Sequence, residues 1–371
     1  MIVELENIKA KTWNTTLIEA GVRGTIFQCT YWAEYLKKTY GDHPIYLAST
    51  DDKGNIQGLL LAIESCYAKH QTCNRLNLRT SLFDGLYGRV VSPLLHRMLP
   101  FIFWENGPII VSQSTEEKNQ PNRTLFREIL QRIVEKAQKR GCYEIKFARP
   151  AFFNDQSDIF SALGFWKRRM GTILVNLEQP PDVMWTRIKR LARKNIKRLQ
   201  DAEIIKVSKR DELEEFYNMH VQTTVRAGVK TYPFSYFTSL WDHFSKTNMI
   251  TVFIARLKDN PIGGSLSLMF NNTIHEYALA DSDYARSCRL YSGDLLKWHT
   301  MKWGHEKGLR YFDLTGVEFY KIDMGDKKAE NIYRYKSKWG GQLVEFNDYG
   351  KVFPRKRKIV SMLNLYFADS R

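Results

Sequence analysis

Two stretches of this chain, PIYLASTDDKGNIQGLLLAI (Pro44 to Ile63) and ITVFIARLKDNPIGGSLSLMF (Ile250 to Phe270), follow one pattern. Each reads as a strand, a polar turn containing Asp and Asn, a glycine and a second strand. A second pair follows in the same order. LQRIVEKAQKRGCYEIKFARP (Leu130 to Pro150) and HTMKWGHEKGLRYFDLTG (His299 to Gly316) each predict a helix that ends in a basic residue and glycine, then a buried strand. A chain that repeats such a unit folds as two α+β domains of sheet and helix, and 371 residues suit two domains of ordinary size.

The offsets of the repeat locate an insertion. Gly58 pairs with Gly263 and Gly141 with Gly308, 205 and 167 residues apart, so the first copy carries about 38 extra residues. We therefore expect domain 1 at residues 1–168 with an apolar insertion at about 64–105, domain 2 at 169–344, and a basic segment at 345–371 packing back on domain 1. The insertion includes SLFDGLYGRVVSPLLHRMLPFIFW (Ser81 to Trp104), which reads either as extra core or as an apolar surface for a lipid-linked substrate.

Cys29, Cys66, Cys73, Cys142 and Cys288 are odd in number and show no metal-ligand spacing, which argues against structural zinc and fits a reducing compartment. No stretch approaches the roughly 20 apolar residues of a membrane span, and the N-terminus MIVELENIKAKTW has acids where a signal peptide has an apolar core. A cytoplasmic protein is expected. A formal net charge of +16 implies attraction for polyanions or an anionic membrane surface. Part of that charge sits at Pro354 to Lys358, and a denser part lies between Arg187 and Arg198, where seven cations fall within twelve residues. In the same region Trp185, Ile188, Ala192, Ile196 and Leu199 recur at three and four, predicting one amphipathic helix with Arg187, Arg190, Lys194 and Lys197 on another face.

Residues Ile332 to Gly341 read IYRYKSKWGG and Tyr311 to Gly316 read YFDLTG. Together they resemble the end of the acyl-transfer domain in the Fem-type (FemABX) peptidoglycan aminoacyltransferases. The resemblance extends through Phe27-Gln28 and Tyr31-Trp32-Ala33, Glu215-Phe216-Tyr217, Thr223 to Gly228, Pro233 to Phe237 and His275 to Ala280. It implies two tandem GNAT-like (acyl-CoA N-acyltransferase-like) domains, mixed sheets flanked by helices. It further implies transfer of an aminoacyl group from aminoacyl-tRNA to an amine of a nucleotide-sugar-linked or lipid-linked cell-wall precursor, with no cofactor. With no heptad segment, the chain resembles the family members that lack a coiled-coil arm, and a monomer is expected.

The resemblance assigns roles residue by residue. Lys336 aligns with the lysine beside the reacting ester, where a cation among Tyr333, Tyr335 and Trp339 would stabilise a developing oxyanion. Asp313 is a weaker catalytic candidate, because a carboxylate at a strand end more often orients a neighbouring backbone. Arg226 aligns with the arginine that holds the substrate's diphosphate, a salt bridge being its competing role. Leu36 stands where the family has a partner lysine, with Lys37 and Lys38 beside it, and Trp32, Tyr277 and Tyr335 are further substrate-binding candidates. Arg187, Arg190, Lys194 and Lys197 are read as tRNA phosphate contacts, a solvated helix face being the alternative. Two rival functions remain open. One is a CoA-dependent N-acyltransferase of polysaccharide assembly, against which Asp294 counts because it would repel phosphates at a helix start. The other is a non-catalytic RNA- or membrane-binding module.

Overall fold

The computed structural model describes residues 2–5, 9–66, 100–111, 119–152, 156–229 and 231–354. Leu94 and Leu95 of the apolar insertion, Cys73, and the basic run from Arg355 onward lie outside these residues. The chain divides into two compact units, Met1–Arg168 with Phe346–Arg371, and Arg169–Glu345.

In the first unit, β1 (Ile2–Glu4), β2 (His43–Thr50), β3 (Ile56–Cys66) and β4 (Pro100–Trp104) pair antiparallel in that order. The short β5 (Ile109–Ile110) also pairs with β3. Next comes β6 (Glu144–Ala148), parallel to β4, and then the 346–352 stretch, antiparallel to β6 with Tyr349 opposite Ala148. Parallel neighbours need a long crossover. Helix α3 (Asn119–Lys139) lies in that connection, after α1 (Ala10–Glu19) and α2 (Thr30–Tyr40) and before α4 (Ser157–Ala162). Its Phe126, Ile129, Leu130, Ile133 and Ala137 recur at three and four and are fully buried against β2, β3 and β6 residues such as Leu47, Leu60 and Ile145.

The second unit repeats the arrangement. From one edge its strands run β8 (Glu203–Lys206), β9 (Ile250–Leu257), β10 (Asn260–Phe270), β11 (Thr273–Asp281), β12 (Tyr311–Asp313), with β7 (Trp166–Asn176) beside β12. All are antiparallel except β11 and β12. The long helix between those two, Ser292–Glu306, is the counterpart of α3. Gly141 (φ 65°) and Gly308 (φ 69°) follow the two crossover helices in the left-handed conformation that glycine adopts without steric cost. Strand order, the parallel pair and the helix between its strands thus recur in both halves, as the sequence repeat predicts.

One local expectation is corrected and one open choice is decided at a residue. The single helix expected across Met184 to Leu199 is two: α5 (Pro181–Arg187) and α6 (Arg190–Lys197), with Ile188 in extended backbone between them. The break serves a distant contact. The Lys189 N–H donates to the Lys338 carbonyl at 2.9 Å, and Gly340 (φ 72°) lies so close that a Cβ there would stand 2.5 Å from the Arg187 Cβ. Of the two readings of the insertion, Phe101 bears out extra core: it lies on β4 with no exposed surface, edge-on to Tyr143 and under the Lys146 ammonium. It is core.

Candidate active site

The second unit opens where β11 and β12 part. Their parallel pairing runs from Thr273 opposite Tyr311 to His275 opposite Asp313; β12 then ends while β11 continues to Asp281. At the last paired position His275 Nδ1 lies 2.9 Å from Asp313 Oδ2, both side chains buried. Asp313 also accepts from Thr172 Oγ1 and, at 2.8 Å, from the Thr315 N–H. Burial pushes its carboxyl up, but His275 and these donors hold it below the usual carboxylate range.

Lys336 reaches this turn from the other side. After α7 (Leu213–Arg226), α8 (Phe234–Phe244), α9 (Asp283–Ser287), α10 (Ser292–Glu306) and α11 (Phe319–Asp323), the helix α12 (Lys327–Lys336) carries it at its last residue. Its ammonium donates to the Thr315 and Gly316 carbonyls at 2.7 and 2.8 Å. An ammonium has three donors, so one N–H remains. Burial pulls the Lys336 pKa down to about 8, against the Glu276 charge, which favours the ammonium. The cations over these aromatic rings are instead Lys338, 4.1 Å from the Tyr335 ring centre and 5.6 Å from that of Trp339, and Lys297, 5.2 Å from that of Tyr335. Helical geometry explains the difference from expectation: Tyr335 and Lys338 are three apart and share a face, which Lys336 does not.

On that face lies a cavity of about 620 Å³, lined among others by Asn195, Asp281, Arg286, Arg289, Asp294, Tyr335 and Lys338. It sits at the start of α10. Asp294 in the first turn of that helix is buried, but it is not alone: Lys338 Nζ donates to Oδ1 at 2.6 Å and Asn195 to Oδ2 at 2.8 Å. Lys297, buried, pairs with the partly buried Glu276. Burial, with Asp294 and Glu276 nearby, pushes the Tyr335 phenol well up, so it stays a neutral donor. Sequence reasoning missed Lys338, Arg286, Arg289 and Asn195; the helical spacing of Tyr335 and Lys338 was the available signal for the first.

Helix α6 borders the cavity with Leu191 and Asn195, while Arg190, Arg193, Lys194 and Lys197 turn to another face. With Trp185 and Arg198 these four line a groove of about 500 Å³. Among the described residues none of the seven cations from Arg187 to Arg198 makes an ion pair, although Arg149, Arg226 and Arg256 all do.

The other candidates fall elsewhere. Arg226 pairs with Asp283 and donates to the Asp281 carbonyl at 2.7 Å, which ties α7 to the end of β11 in the salt-bridge role. Trp32 is only 7% exposed and packs against Phe27 and Tyr35 in the first unit's core, so it is not a surface for substrate. Lys37 and Lys38 are exposed on α2, Lys38 near Glu34. Tyr277 is half-buried with its hydroxyl on that of Tyr236. Among the described residues no cluster of His, Cys, Asp and Glu could hold a metal ion, and no helix is long and apolar enough to cross a membrane.

Comparison with known proteins bears on the fold and the class of domain. Residues 186–337 match the family model described as an acetyltransferase (GNAT) domain. The fold is similar to the crystal structure of FemX, at 14% identity over 96% of this chain and 98% of that one, with a TM-score of 0.67. It is also similar to a tandem GNAT protein from the clavulanic acid biosynthesis pathway (9% identity, 95% and 98% covered, TM-score 0.52). A conserved protein of unknown function from Bacteroides thetaiotaomicron VPI-5482 is likewise similar (9% identity, 94% and 99% covered, TM-score 0.51). No curated protein matches the sequence. The fold is the tandem GNAT fold of the Fem type, and the second unit is an acyltransferase domain of the GNAT class.

Proposed function

We propose that this acyltransferase moves an aminoacyl group from aminoacyl-tRNA to an amine of a cell-wall precursor, in the cytoplasm and as a monomer. The observation that carries this reading is the unpaired cationic face of α6, on the same short helix whose Leu191 and Asn195 border the cavity. A small acyl donor has no use for so long a charged surface. A polynucleotide does, because each neutralised phosphate releases counterions. The tRNA backbone would follow the groove toward the cavity at the start of α10, and the ester carbonyl would lie beyond its lining, at Lys336.

In the reaction the acceptor's neutral amine attacks the ester carbonyl, forming the C–N bond. The carbonyl oxygen becomes an oxyanion, the ester C–O bond breaks, and the amine's proton passes to the leaving ribose oxygen. The one uncommitted N–H of Lys336 supplies a charged donor to that oxyanion.

One observation favours the second reading, a CoA-dependent N-acyltransferase: Lys338 and Asn195 satisfy Asp294, so the carboxylate at the start of α10 is neutralised rather than free to repel a pyrophosphate. Incubating the purified protein and an amine acceptor with either charged tRNA or acyl-CoA separates them. Product that needs charged tRNA and disappears after ribonuclease treatment supports the first reading, whereas product from acyl-CoA alone replaces it with the second. Lack of turnover with both would leave the binding-module reading.

A further inference from the structure

We infer that the buried His275–Asp313 pair, with Thr172, is a positioning device that sets the ammonium of Lys336 for catalysis through the backbone turn at Thr315 and Gly316. The inference rests on the reading of Lys336 as the oxyanion's partner and adds how that lysine is aimed.

Lys336 sits at the end of a short helix and its side chain has four rotatable bonds, so its position must be imposed from outside. The imposing groups are the carbonyls of Thr315 and Gly316, which take two of its three N–H donors at 2.7 and 2.8 Å. Those carbonyls belong to a turn held in an unfavourable shape. Thr315 has φ 50°, a left-handed conformation that is costly for a β-branched residue. Asp313 holds it there by accepting the Thr315 N–H at 2.8 Å, two residues along the chain. The Thr315 hydroxyl adds a bond to the Glu276 carbonyl at 3.2 Å, and Gly171 fixes the far side of the turn by exchanging hydrogen bonds with Val317.

Asp313 is itself fixed by groups from two other strands. His275 on β11 takes one carboxylate oxygen at 2.9 Å, and Thr172 on β7 bonds the other. Asp313 is 3% exposed, which leaves its carboxylate no open surface for a substrate; it acts through the turn and through its charge, which favours the Lys336 ammonium.

The test is a double-mutant cycle on transfer kinetics, with Asp313→Asn, His275→Gln and Thr172→Val each made in the wild-type and in the Lys336→Met background. In the wild-type background the expectation is a roughly 10-fold or larger fall in kcat for the folded fraction, little change in KM for either substrate, and an alkaline limb of the pH profile that moves to lower pH in Asp313→Asn. In the Lys336→Met background the same changes should cost nothing further. If Asp313→Asn does not fold, the milder His275→Gln and Thr172→Val keep the carboxylate and carry the comparison. Wild-type kcat in the folded variants overturns the inference, as does an equal loss in both backgrounds, which would make the cluster merely structural. Full activity in Lys336→Met alone would instead remove the lysine's catalytic reading, and the inference with it.

Discussion

Lys338 and Asp294 form an ion pair at 2.6 Å, with the carboxylate 1% and the ammonium 14% exposed. The pair neutralises the first turn of α10, where a free carboxylate would oppose any anionic donor. Removing one partner strands the other. Lys338→Met should therefore lower stability by about 3 kcal/mol or more, read by urea denaturation, while Lys338→Met combined with Asp294→Leu should recover most of the loss. A single variant as stable as wild type would mean that Asn195 alone satisfies the aspartate.

The α6 face gives a prediction in which stability should not move. Arg190, Lys194 and Lys197 are exposed and unpaired, while Ala192, Asn195 and Ile196 carry the helix's packing. Reversing the three cations to glutamate should leave the melting temperature near wild type. The affinity for charged tRNA should fall, and the slope of log K against log salt should flatten by roughly two to three units. Unchanged affinity and slope in the folded variant would return this face to a solvated surface.

In the first unit, Phe101 is enclosed by Phe103, Tyr143 and the Lys146 ammonium. Phe101→Ala should cost about 3–5 kcal/mol, the range for emptying a buried aromatic site. Loss of liposome co-sedimentation by a Phe101 variant would thus report unfolding rather than a lost membrane contact, and a folded, stable variant would show that the strand is not where β4 places it.

The different fates of these residues show what a sequence can and cannot disclose. The hairpins, the crossover helices and their terminal glycines were legible because each follows from local periodicity and turn chemistry, and the repeat let one copy support the other. The break between Ile188 and Lys189 was not, since its cause is a carbonyl at Lys338, about 150 residues away. Trp32 belongs to a helix whose neighbours Phe27 and Tyr35 cover it, and only packing reveals that. Lys336 was found through a resemblance, yet its partners are backbone carbonyls, which no side-chain pattern announces.

His220 carries a pH prediction. Its ring lies between Phe216 and Phe237, neither ring nitrogen has a hydrogen-bond partner among the described residues, and burial lowers its pKa. The unfolded chain then binds the proton more readily, so stability should fall as pH drops below the ordinary histidine value near 6.5. His299, also lowered by burial, adds to the same slope. His220→Leu should flatten the loss between about pH 6.5 and 5 in denaturation curves; an unchanged slope would assign the effect to other groups.

Lys336 separates catalysis from stability most sharply. Its folded pKa of about 8 lies below the ordinary 10.5, so the unfolded chain binds more protons between those values, and the unfolding free energy should rise as pH increases across that window. Lys336→Met should abolish the rise. At neutral pH its stability should stay close to wild type, since relief of a buried charge offsets two carbonyls left without a donor. Turnover should nevertheless fall by roughly 10²-fold, the scale of losing one preorganised charged donor, with acceptor binding little changed. Wild-type kcat should decline above about pH 8 as the ammonium deprotonates, provided the acceptor amine is supplied at saturating concentration at each pH. A destabilised variant whose folded fraction transfers at full rate would make Lys336 a structural clasp on the Thr315 turn and nothing more.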